Sequence, residues 1–183
     1  MAARVQIKSS DRKVSSWVAT VDQMQPSQEA IHSQQASIEI NASPETIYAM
    51  VSDITRMGEW SPEATGGQWL NDGAGQVGDW FVGQNEGPGR TWERECQVAA
   101  AIPGEDFTFV VGGIEKNCTW WSYELSPTEN GTQVTENWWV VNRTPAMAEA
   151  FTDKPEVYEN RVGPHTAQML ETTLANLKAA AES

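Results

Sequence analysis

The residues best placed to do chemistry are a glutamate, a tyrosine and an arginine that share their segments with apolar neighbours. In Thr132 to Val141, TQVTENWWVV, an extended chain alternates its side chains, so Val134, Glu136, Trp138 and Val140 fall on one face. A carboxylate in the middle of an apolar face is costly unless it has a partner or looks into a wet cavity. The same alternation groups Arg94 with Trp92, Cys96 and Val98, and Tyr123 with Trp121 and Leu125. Arg94 and Glu136 are thereby assigned to one side of a sheet and are expected as a buried or half-buried pair, each offsetting the other's desolvation. Glu136 could then serve as general acid or base, with Tyr123 as proton donor to a carbonyl. A shaped pocket would do much of that work by holding one conformer. The alternative is a static Arg94–Glu136 pair with Tyr123 as packing.

The elements that must position these groups follow from pattern and turn chemistry. Ala36 to Ala42 alternates, with Ile38 and Ile40 on one face, and predicts a first strand. Ser43 and Pro44 give a helix start, and Ile47, Met50, Val51 and Ile54 face inward before an end near Gly58 and a second short turn through Trp60 to Glu63. Six further strands are expected at residues 68–71, 78–85, 91–100, 106–111, 118–125 and 132–141, with Gly- and Pro-rich connections such as Pro103-Gly104 and Asn130-Gly131. Short connections imply an antiparallel meander. Pro145 opens a helical stretch interrupted around Pro155 and at Gly163-Pro164. Beyond it Thr166, Met169, Leu170, Thr173, Leu174 and Leu177 make a stripe at helical spacing, which must be buried on the meander's inner face. Residues 1–35, rich in Gln, Ser and charge, are expected as an extension, loosely attached or lying across a single domain at 36–183.

Composition narrows the partners. A formal charge of −13 over 183 residues argues against nucleic acid and anionic membrane, and favours a neutral or apolar small molecule. Nine tryptophans are heavy usage for one small domain, and aromatic side chains build both cores and ligand pockets. No run of eighteen apolar residues occurs and the start, MAARVQIKSSDRK, has no apolar core, so a cytoplasmic protein without membrane insertion is expected. Cys96 and Cys118 lack metal-like spacing and read as buried thiols, and His32 and His165 lie in unrelated segments, so no metal and no cofactor are expected. The loop at residues 85–90, NEGPGR, lacks the Lys-Ser/Thr and the following helix of a phosphate cradle and reads as a hairpin tip. A homodimer is compatible with the sequence.

The element order resembles a known group, as do ASPETIYAMVSDITRMGEWSPE at 42–63, Trp92 with Cys96 and Val98, Trp121 with Tyr123, GTQVTE at 131–136 and the closing TLANLKAAAE. The chain from about Ala36 onward is similar to the SRPBCC proteins, the START-like, helix-grip superfamily, and in particular to actinobacterial members labelled polyketide cyclase/dehydrase. The resemblance implies an α+β helix-grip fold. In it a curved seven-stranded antiparallel sheet wraps around a long C-terminal helix, with two short helices after the first strand. It also implies a cavity between sheet and helix. The inward positions Phe81, Asn85, Trp92, Phe109, Trp121 and Trp138, with Trp60 in the turn and His165 and Met169 on the last helix, are then expected to bind ligand, and Glu136, Tyr123 and Arg94 to be the working groups. The superfamily's motifs specify fold better than reaction. Three readings therefore stand: a binder of a small hydrophobic, aromatic or polyketide-like molecule; a cyclase, aromatase or dehydratase; and an acidic interaction module for a protein partner.

Overall fold

The computed structural model describes residue 26, residues 28–150, residue 152 and residues 155–183. Most of the extension expected at 1–35, including Trp17, lies outside the described residues. Seven antiparallel strands form one sheet in the order β1-β7-β6-β5-β4-β3-β2. They are β1 (His32–Ile40), β2 (Ala64–Trp69), β3 (Trp80–Gly87), β4 (Arg90–Ile102), β5 (Asp106–Val111), β6 (Thr119–Pro127) and β7 (Thr132–Val140). From β3 to β7 each strand pairs with its predecessor, as short turns dictate, while β1 closes onto β7. Register shifts at Ala64/Gly66 and Val98/Ala100 bend the ribbon.

The chain crosses from the β1 edge to the β2 edge through α1 (Pro44–Val51) and a 3-10 turn (Ile54–Glu59). The Ser43 side chain accepts from Thr46 N at 3.2 Å, and Pro44 occupies the first helical position, where its missing N–H costs nothing. The helix stops at Val51, earlier than its apolar spacing predicts, because Ser52 caps it and Asp53 starts the tighter turn by accepting from Thr55 N. Two helices follow β7: α2 (Pro145–Ala150) and α3 (Pro155–Ala181). On α3 the buried residues Thr166, Leu170, Thr173, Leu174 and Leu177 follow the anticipated stripe. The break anticipated at Gly163-Pro164 does not occur; α3 runs through exposed Pro164. One lost backbone bond is outweighed there by packing of the buried stripe against β1 and β7.

Two strand bounds differ from the sequence reading for physical reasons. β1 begins at His32 rather than Ala36, since an edge strand pairs through its backbone and HSQQ needs no apolar face to join β7. β2 is Ala64–Trp69 rather than 68–71. Its glycines look like a turn but let the 3-10 turn lie against the strand: a Cβ on Gly67 would come within 2.9 Å of the Ile54 side chain. The true turn follows at Asn71 and Asp72, which both have positive φ.

Candidate functional site

Register places the inward side chains in rows across the concave face. One row runs Ala36, Glu136, Tyr123, Phe107; a second runs Gln34, Trp138, Trp121, Phe109, Val98. At the far side of the sheet Phe81 opposes Cys96, Gly83 opposes Arg94 and Asn85 opposes Trp92. Between this face and α3 lies a cavity of about 220 Å³. Ten of the twelve side chains singled out in the sequence line it: Trp60, Phe81, Asn85, Trp92, Arg94, Phe109, Trp121, Tyr123, Glu136 and Met169.

Glu136 is only 3 % exposed. Tyr123, its opposite number on β6, sets its hydroxyl beside the carboxyl, and Trp60 lies beside the Tyr123 hydroxyl. The other carboxyl oxygen, Oε2, is buried with no hydrogen-bond partner. Burial pushes the Glu136 carboxyl up to about 8, with the neighbouring Tyr123 hydroxyl pulling the other way, so at neutral pH the group is largely a neutral acid. Burial also drives Tyr123 well above its ordinary range, and the adjacent Glu136 adds to that shift. The site is therefore a buried, uncharged acid and phenol at the end of a mostly apolar cavity.

The expected Arg94–Glu136 ion pair does not form. Alternation fixes the face but not the distance across it: β4 and β7 are three strand spacings apart, roughly 14 Å. Arg94 is half-buried and its Nη1 donates to Glu93 O at 2.8 Å. Glu136's unfavourable charge is relieved by protonation instead of by a cation.

Two of the anticipated ligand contacts lie elsewhere. Trp138 faces inward but is covered: it stacks on His32 with ring centroids 6.4 Å apart and packs with Leu170, so it supports Trp121 from behind. His165 is not among the wall residues: its side chain is 62 % exposed, with Nε2 3.4 Å from Glu63 Oε1. The turn at Trp60 to Glu63 is both wall and clasp: Ser61 Oγ accepts from Ala64 N at 2.9 Å, and Asn176 on α3 donates to Trp60 O at 3.0 Å. The hairpin tip at 85–90 borders the mouth, where Arg90 lies 4.5 Å above the Trp92 ring.

Sequence reasoning missed five wall residues: Met57, Ala64, Thr119, Thr144 and Met147. Thr119 continues the alternation of Trp121 and Tyr123 and was legible, as Thr173 on the anticipated stripe was. Thr144 and Met147 follow β7 without any periodic signal. Cys96 is a free, buried thiol in the wall, pushed up to about 12 by burial. Among the described residues no three His, Cys, Asp or Glu side chains are grouped to hold a metal.

A curved antiparallel sheet closed over a long C-terminal helix, with a cavity between them, defines a helix-grip protein. The chain belongs to the family described as polyketide cyclase / dehydrase and lipid transport, which it matches over residues 32–182. A Polyketide_cyc-like protein from Corynebacterium glutamicum, Cgl2372, is 35% identical, with 81% of this chain and 90% of that chain covered and a TM-score of 0.55. The di-domain ARO/CYC StfQ of the steffimycin biosynthetic pathway shares the fold at 13% identity and a TM-score of 0.62, over 82% of this chain and 50% of that one. Protein NE0264 from Nitrosomonas europaea does so at 14% identity and 0.54, over 80% and 92%. No curated protein matches the chain. Among the described residues no helix is long and apolar enough to cross a membrane.

Proposed function

We propose that this protein binds a small hydrophobic molecule, aromatic or polyketide-like, in the cavity between the sheet and α3. The observation that carries the reading is an apolar cavity whose deep wall holds one buried polar pair, Tyr123 and Glu136. Phe81, Phe109, Trp60, Trp92 and Trp121 supply aromatic faces, with Asn85 and Met169 as further contacts, and Arg94 adds a cation to the wall. The family description and the ARO/CYC designation of StfQ support a ligand of this class. The reading takes the protein to work in the cytoplasm.

A second reading is favoured by the grouping of Trp60, Tyr123 and Glu136, three polar-tipped side chains, in the cavity wall. A neutral Glu136 is poised to protonate a carbonyl or a leaving hydroxyl, and its conjugate base to remove a proton from carbon, which are the two halves of a cyclisation and dehydration. Native mass spectrometry of the purified protein, with organic extraction, tests the first reading: a discrete added mass of an apolar compound is expected. A bare mass across expression hosts, unchanged by a panel of aromatic compounds, would shift the account to a protein-interaction module. Glu136→Gln then separates binder from enzyme, since a catalytic role predicts retained affinity with lost turnover.

A further inference from the structure

The cavity restricts its ligand by size and by the polarity of the ligand's inner end; the argument rests on the binding function proposed above. An apolar cavity of about 150 Å³ takes up benzene, so one of about 220 Å³ matches a one- or two-ring compound and is short for a long-chain lipid or an extended multi-ring system. At the deep wall, Tyr123 occupies one side of the Glu136 carboxyl, Ala36 flanks the other across β1, and Oε2 is left without a partner. A buried polar atom without a partner is costly and is normally met by something that enters the site.

We infer that Glu136 Oε2 is the recognition point for a neutral oxygen, a carbonyl or hydroxyl, on a one- or two-ring aromatic ligand, and that a carboxylate is rejected there. The Glu136 carboxyl carries its proton at neutral pH and donates it in a hydrogen bond to the ligand's oxygen; no bond is broken and the proton stays on Glu136. A ligand carboxylate would bury a charge with no cation facing it, because Arg94 lies three strands away. Tyr123 is the titratable side chain acting on Glu136 among the described residues; Glu63, Arg94 and Cys96 are the other ionisable wall residues.

Calorimetric titration with naphthalene, 2-acetylnaphthalene, 2-naphthoate and 2-acetylanthracene tests the inference. At pH 6.5 the two-ring ketone should bind at least tenfold tighter than naphthalene, and both the carboxylate and the three-ring ketone should bind more weakly than the two-ring ketone. Raising the pH to 9.5 should erase the ketone's advantage. Glu136→Gln should keep that advantage and lose its pH response, because the amide N–H donates at every pH, whereas Glu136→Leu should lose the advantage and still take up naphthalene. Equal affinity for naphthalene and the ketone at pH 6.5, tightest binding of the carboxylate, or tighter binding of the three-ring ketone would each overturn the inference and leave the binding function standing. Failure of all four compounds to bind would overturn both.

Discussion

Tyr123 and Glu136 are direct cross-strand partners on β6 and β7, and both side chains line the cavity wall. The pairing is set by the Asn130-Gly131 hairpin, since a slip of one residue would turn Glu136 to the other face of the sheet. Local turn chemistry thus determines which side chain shares the buried acid. The consequence is that a neutral carboxyl, rather than an ion pair, occupies the deep end of the cavity.

Stability should fall as pH rises through the range in which the buried Glu136 holds a proton that the unfolded chain has released. The ordinary value is 4.5 and the folded value about 8, so this contribution is complete below about 4.5, declines up to about 8 and is flat above. Buried Asp106, raised to about 6 despite the Thr108 hydroxyl at 2.7 Å, adds a decline between about 4 and 6. Glu136→Gln should therefore be more stable than the parent at pH 8, by on the order of 4 kcal/mol, with the gain vanishing near pH 4.5. Urea midpoints across pH 4 to 9 measure this; a gain independent of pH would contradict the buried-proton account.

Removing the Tyr123 hydroxyl deprives Glu136 of the neighbour that favours its charged form. Tyr123→Phe should move the Glu136 titration above about 8. Carbon-13 labelling of the Glu carboxyl groups, followed by NMR titration, reads the shift directly. An unchanged midpoint would mean that the two groups do not interact.

Gly131, with φ of +150°, packs its Cα hydrogens against the backbone of Ile40 and Asn41. A methyl group there would overlap Ile40 O, so Gly131→Ala should force β1 away from β7 and destabilise by about 2 to 3 kcal/mol. Thermal or urea unfolding tests this, and a loss under 0.5 kcal/mol would show that the hairpin absorbs the group.

Cys96 and Cys118 are both buried, and burial raises the pKa of each thiol. A thiol-specific disulfide reagent at pH 8 should label neither quickly in the native protein and both in denaturant. Prompt reaction of Cys96 alone would mean that the cavity admits the reagent.

Much of this architecture is legible in the chain because each strand after β2 carries a clean alternation and each turn its own chemistry. Ser43-Pro44 marks a helix start, and the Leu170, Leu174 and Leu177 stripe marks a helix that must be gripped. Face assignment is legible for the same reason, which is why Phe81, Trp92, Phe109, Trp121, Tyr123 and Glu136 could all be named. Lateral distance is not: nothing in the alternation says that Arg94 stands three strands from Glu136, or that Leu170 covers Trp138. Edge strands are the other weak point, since the HSQQ start of β1 and the glycines of β2 are held by backbone pairing and close contacts rather than by apolar periodicity.

The central claim is that ligand enters the cavity between the sheet and α3, and the tryptophans report on it directly. With 5-fluorotryptophan incorporated and each fluorine resonance assigned by single Trp→Phe replacement, titration with 2-acetylnaphthalene should shift the signals of Trp60, Trp92 and Trp121, which line the cavity. Trp120 and Trp139, which cluster with Val110 and Val141 away from it, should stay in place. Shifts confined to Trp120 and Trp139, or no shift at a saturating concentration, would contradict the assignment of the cavity as the binding site.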